Sequence, residues 1–126
     1  MLPTDWIPVL LDIDRDEEFT GDDADRFSTL CNLGGAYEFV TVILPIMDTA
    51  DVTIYVQKTD AIDEIPALLY VLDYDASGAL VQKSASVSTA AFTLTYRIGG
   101  AQYFRLNCSA NQDPDITFYC RGFNRN

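Results

Sequence analysis

From residue 36 onward the chain alternates apolar and polar side chains with a period of two, and this pattern restricts its possible folds more than any other feature. Val52, Ile54 and Val56 alternate with Thr53, Tyr55 and Gln57, and Phe92, Leu94, Tyr96 and Ile98 alternate with Thr93, Thr95 and Arg97. Phe104, Leu106 and Cys108 oppose Tyr103, Arg105 and Asn107, while Ile116, Phe118 and Cys120 oppose Thr117, Tyr119 and Arg121. Successive side chains of a strand point to opposite faces, so each segment has one face for a core. Strands are predicted at 36–44, 50–58, 67–75, 79–83, 90–98, 102–109 and 115–123, about seven in all.

The connections carry turn chemistry. Asp75-Ala76-Ser77-Gly78 offers a late glycine for a positive φ, and Gly99-Gly100 separates two runs as a two-residue hairpin would. Ala110-Asn111-Gln112-Asp113-Pro114 closes a final hairpin, with Pro114 ending the pairing because it has no backbone donor. Short, mostly antiparallel strands predict an all-β domain over 36–126, an antiparallel β-sandwich or jelly roll. A chain of 126 residues makes one domain and buries about two thirds of its unfolded surface, so no disulfide or metal staple is required.

Residues 1–35 read as an extended, acidic N-terminal arm. Trp6-Ile7-Pro8-Val9-Leu10-Leu11 is a short apolar segment whose proline pushes the residue before it to extended backbone. Trp6, Ile7 and Leu10 are its predicted anchors, seated on the chain's own sandwich or on a neighbouring subunit. Asp25-Arg26-Phe27-Ser28-Thr29-Leu30 suits a turn of helix before Gly34-Gly35 breaks it.

The net charge of −11 argues against nucleic acid as a partner, because phosphate contacts need a basic surplus. Its distribution is uneven. Residues 1–25 hold nine acids against Arg15 alone, whereas residues 96–126 hold Arg97, Arg105, Arg121 and Arg125 against Asp113 and Asp115. An acidic arm and a weakly basic end suit contacts between copies or with a partner, or a merely solvated segment.

Histidine is absent, which removes the commonest general base and most zinc sites. No Gly-rich phosphate loop is present, and the start has no basic segment leading into an apolar run, so no signal peptide is expected. No apolar window approaches the ~18 residues of a membrane span. Cys31, Cys108 and Cys120 lack Cys-x-x-Cys spacing and read as buried thiols in a reducing compartment. Asp12-Ile13-Asp14-Arg15-Asp16 places acids at alternate positions as in a calcium loop, but Glu17 stands where such a loop needs glycine and Asp23 where it needs glutamate. Asp73 and Asp75 are the carboxylates within an apolar run, and Asp75 already has a turn role. The chain therefore reads as a non-enzyme without metal or cofactor.

Tyr103, Arg105, Tyr119 and Arg121 occupy outward positions of the last two predicted strands, where tyrosine with arginine marks an interaction surface or cross-strand packing. The pattern Tyr96-Arg97-Ile98-Gly99-Gly100-x-x-Tyr103-Phe104-Arg105-Leu106, followed by Phe118-Tyr119-Cys120-Arg121-Gly122-Phe123, resembles small structural proteins of tailed bacteriophages. The likeness spans about 90 residues in strand layout and about 28 in motif. It implies a virion protein, a capsid decoration (cement) protein that bridges major capsid protein subunits as a homotrimer. The acidic start and the three cysteines depart from that pattern. A tail or fibre β-sandwich that binds carbohydrate through the same tyrosines is the alternative.

Overall fold

The alternation is realised as nine β-strands among the described residues of the computed structural model, which are 2–11, 27–47, 50–61, 64–74, 76–82, 84–87, 91–108 and 116–125. They are β1 (Ile7–Leu11), β2 (Cys31–Leu44), β3 (Ala50–Gln57), β4 (Ala67–Leu68), β5 (Tyr70–Tyr74), β6 (Leu80–Gln82), β7 (Ser84–Val87), β8 (Phe92–Cys108) and β9 (Ile116–Phe123). No helix occurs among these residues. Seven strands form one antiparallel sheet in the order β1-β9-β2-β8-β3-β4, with β7 also on β3, and β5 pairs β6 separately.

Two long strands turn this sheet into a sandwich. Phe39–Leu44 of β2 pairs with Arg97–Phe92 of β8, whereas Cys31 and Asn32 pair with Phe104 and Tyr103. Between these stretches the register slips on both strands. Gly34, Gly99 and Gly100 sit there at φ +77°, +65° and +93°, backbone that residues with a Cβ rarely adopt. Paired irregularities of this kind bend a sheet sharply. One half then consists of β1, β9, the end of β2 and the start of β8; the other holds β3, β4, β7 and the end of β8.

The core lies between the halves. Val9, Leu11, Val40, Val42, Tyr96, Phe118 and Cys120 face Val52, Ile54, Phe104, Leu106 and Cys108, all buried. Tyr96 spans the gap, its hydroxyl donating to the Val52 carbonyl at 3.2 Å. Ser28 and Thr29 join the open edge: Ser28 N–H donates to the Leu106 carbonyl at 2.8 Å, and Thr29 N–H to the Leu10 carbonyl at 2.8 Å. The Ser28 hydroxyl and Thr29 hydroxyl accept in return from Leu106 N–H and Leu10 N–H. The three cysteines are buried free thiols.

Several expectations are corrected. Gly99-Gly100 is a bend inside one continuous strand and not a hairpin turn. The runs 102–109 and 115–123 are not partners, since β9 pairs β1 and β2 while that part of β8 pairs β2 and β3. The sheet does not wait for residue 36: β1 is one of its strands and β2 begins at Cys31. Phe27 forms a bridge to Asn107, and residues 28–30 are not helical. The predicted strand 67–75 is two strands in different sheets, β4 and β5. The acidic run 12–25 with its calcium-like spacing, Asp75, and the loop 110–114 lie outside the described residues.

Candidate functional site: an aromatic and arginine face

Where the even-numbered residues of β2 from Val40 on, of β8 up to Ile98 and of β9 enter the core, the odd-numbered ones form the outer face of the first half. The register aligns them in rows. Pro8, Tyr119, Ile43 and Thr93 make one row; Arg121, Thr41 and Thr95 make the next, and Phe123, Phe39 and Arg97 a third. Trp6, one residue before Ile7 (which pairs Cys120), extends the second row beside Arg121. These outward positions carry arginines at 97 and 121 and no carboxylate, on a chain whose total charge is −11.

Cations and rings are interleaved on this face. The Arg121 guanidinium lies 5.7 Å from the Trp6 ring centre, and Arg125 lies 5.4 Å from the Phe39 ring. Phe39 in turn stacks on Phe123, centroids 5.1 Å apart. The two arginine contacts place positive charge over the negative face of a π-system. The Arg121 Nε is buried and makes no hydrogen bond among the described residues.

A groove of about 510 Å³ opens at this place, lined by Leu2, Pro3, Trp6, Thr41, Arg121, Phe123 and Asn124. Its rim is fixed by the chain start. Thr4 N–H donates to the Gly122 carbonyl at 3.0 Å, Gly122 N–H donates to the Thr4 hydroxyl at 3.0 Å, and the Tyr37 hydroxyl reaches the Leu2 carbonyl at 3.4 Å. Asn124 is held by accepting from Glu38 N–H at 2.8 Å, and the Thr41 hydroxyl is paired with that of Thr95 at 3.1 Å. The lining offers a guanidinium, a hydroxyl, an amide and aromatic rings, a set suited to binding an anion with an apolar body.

The predicted residues separate. Trp6, Tyr119 and Arg121 share the face, with Trp6 41% and Tyr119 45% exposed. Leu10 is also outward, 44% exposed, so Trp6 and Leu10 do not anchor β1 through the core; Val9 and Leu11 do, with Ile7 packed partly against them. Tyr103 and Arg105 lie on the other half, opposite Gln57 and Tyr55 of β3. Arg105 is not a surface residue at all, being 0% exposed. Its Nε donates to the Gln57 carboxamide at 2.6 Å and its Nη1 to the Ser28 carbonyl at 3.0 Å. Gln57 passes the connection on to the carbonyls of Thr59 and Ala61, while Phe27 packs edge-on against Tyr55 at 5.0 Å. Arg105 therefore fastens the segment before β2 and the loop after β3 to the sheet.

Phe39, Thr41 and Asn124 also belong to the face and carry no signal in the sequence, whereas Phe123 stands in the terminal motif and Arg125 in the basic end. Comparisons of the chain with family models, curated proteins and solved structures return no match.

Proposed function

We propose that the chain is a non-enzymatic virion structural protein of the capsid-decoration type, which docks on major capsid protein subunits and holds neighbours together as a trimer. The observation that carries this reading is the outer face of β1, β9 and β2, where Leu10, Tyr119 and Ile43 are large apolar side chains left exposed in neighbouring positions. Apolar side chains gathered on one sheet face suit burial against another protein surface. The mechanism is mechanical: interface area shared with two subunits raises the cost of separating them. The test is occupancy on particles. A Tyr119→Ala, Ile43→Ser double variant that keeps its circular dichroism spectrum is expected to be depleted from purified heads; undiminished occupancy refutes docking by this face.

The groove favours a second reading, a glycan-binding β-sandwich of a tail or fibre. Trp6 supplies the ring and Arg121 the polar contact for a sugar. A glycan array without hits would remove it.

A further inference from the structure

We infer that the Trp6–Arg121 groove selects carboxylated sugars, such as uronic or sialic acid units, over neutral ones. This rests on the glycan-binding reading and adds the ligand's charge and orientation. Three of the chain's eight basic residues, Arg97, Arg121 and Arg125, are on or beside this face, and the groove lining contains no carboxylate. The lining thus carries a cation and no anion on a chain whose net charge is −11, so an anion meets less repulsion here than at the acidic parts of the sequence.

Arg121 is the specific partner. Its Nε is enclosed, so the terminal edge of the guanidinium is what it presents to the groove. That edge is planar and matches the two oxygens of a carboxylate. Among the described residues its charge is met only by the Trp6 ring, at 5.7 Å. A sugar ring is apolar on its C–H faces, which suits Trp6 and Phe123, and its hydroxyls suit the Thr41 and Asn124 side of the lining. A volume of about 510 Å³ falls within the range of small-molecule sites. Arg97 and Arg125 flank the groove and would meet further acidic units of a polymer.

The experiment titrates the full chain with a galacturonate tetrasaccharide, a hyaluronan tetrasaccharide, a sialic acid trimer and neutral cellotetraose, followed by calorimetry and by Trp6 fluorescence. At least one acidic oligosaccharide is expected to bind, to weaken with added salt, and to weaken by about tenfold or more in Arg121→Gln. Arg121→Lys is expected to retain part of the affinity, and Trp6→Ala to lose it with the fold intact by circular dichroism. Cellotetraose binding as tightly as the acidic sugars overturns the charge selection but leaves the glycan reading standing. No binding by any of the four overturns both. Acidic binding unchanged in Arg121→Gln overturns the assignment of this groove.

Discussion

Raising the pH from 7 to 10 should destabilise the protein through its buried thiols, and Cys108 sets the scale. Burial pushes the Cys108 thiol up to about 12 from an ordinary value of 9.0. The unfolded chain therefore gives up this proton three decades of acidity before the folded one does. Below pH 9 both states hold it, and its contribution to stability is fully present. Between 9 and 12 only the folded state holds it, so the unfolded state binds fewer protons and stability is lost as pH rises. At pH 10 the unfolded thiol is about ten-elevenths ionised and the folded one almost wholly protonated, a loss of about 1.4 kcal/mol from this group alone. Cys120 adds to the effect, held well above its usual value by its hydrogen bond with Cys31 and then by burial, and Tyr96 is raised in the same direction by burial. The assay is urea denaturation at pH 7 and pH 10 for the wild type and Cys108→Ala. The variant pays a cavity cost at both pH values, yet its loss between them should be smaller than the wild-type loss by about 1.4 kcal/mol. Parallel losses would show that the Cys108 environment does not favour the neutral thiol.

Three further outcomes follow from packing and hydrogen bonding. A Cβ at Gly122 would lie 3.0 and 3.1 Å from Tyr37 ring carbons and 3.3 Å from Leu33 Cδ1, so Gly122→Ala should cost about 1–3 kcal/mol in urea denaturation; a cost under about 0.5 would mean that the ring gives way freely. Tyr96→Phe removes the hydrogen bond across the core to Val52 and should cost about 1 kcal/mol, measured the same way, with an unchanged midpoint counting against the bridge. Arg105→Met leaves the Gln57 and Ser28 acceptors without their donor and should cost about 2–3 kcal/mol, whereas Arg121→Met, which breaks no hydrogen bond among the described residues, should cost no more than about 1 kcal/mol through its lost contact with the Trp6 ring. Equal costs for the two arginines would contradict their different placement.

The all-β class was legible because alternation is a local property of each strand. The hairpin at Gly99-Gly100 was misread, although the phase of the apolar residues carried the answer. In a two-residue hairpin residue 98 would pair with 101, hence Tyr96 with Tyr103 and Leu94 with Arg105, and directly paired residues point to the same side. Leu94, Tyr96 and Ile98 would then share a face with Tyr103 and Arg105, while Phe104 and Leu106 pointed away. The apolar residues are even-numbered on both sides of the glycines, which one continuous strand satisfies by keeping them all toward the core. The same alternation, in the opposite phase, distinguishes Ile7, Val9 and Leu11 of β1, which turn toward the core, from Trp6 and Leu10, which do not.

The site was only half legible, for a different reason. Arg105 and Arg121 have the same local signature, an arginine flanked by core residues and preceded at two positions by a tyrosine. What separates them is the chain that crosses each outer face. Over Arg105, Ser28 and Gln57 are in place and the side chain becomes a buried fastener; beside Arg121 the Trp6 ring lies at 5.7 Å, and the guanidinium lines a groove. Ser28 is 77 residues from Arg105 along the chain, and no periodicity encodes such a contact. Net charge hides the distinction further, since a total of −11 gives no hint of a face whose outward positions bear arginines and no carboxylates. The placement of these side chains is a property of the bend at Gly34 and Gly99-Gly100, which sends Tyr103 and Arg105 to one half of the sandwich and leaves Tyr119 and Arg121 on the other.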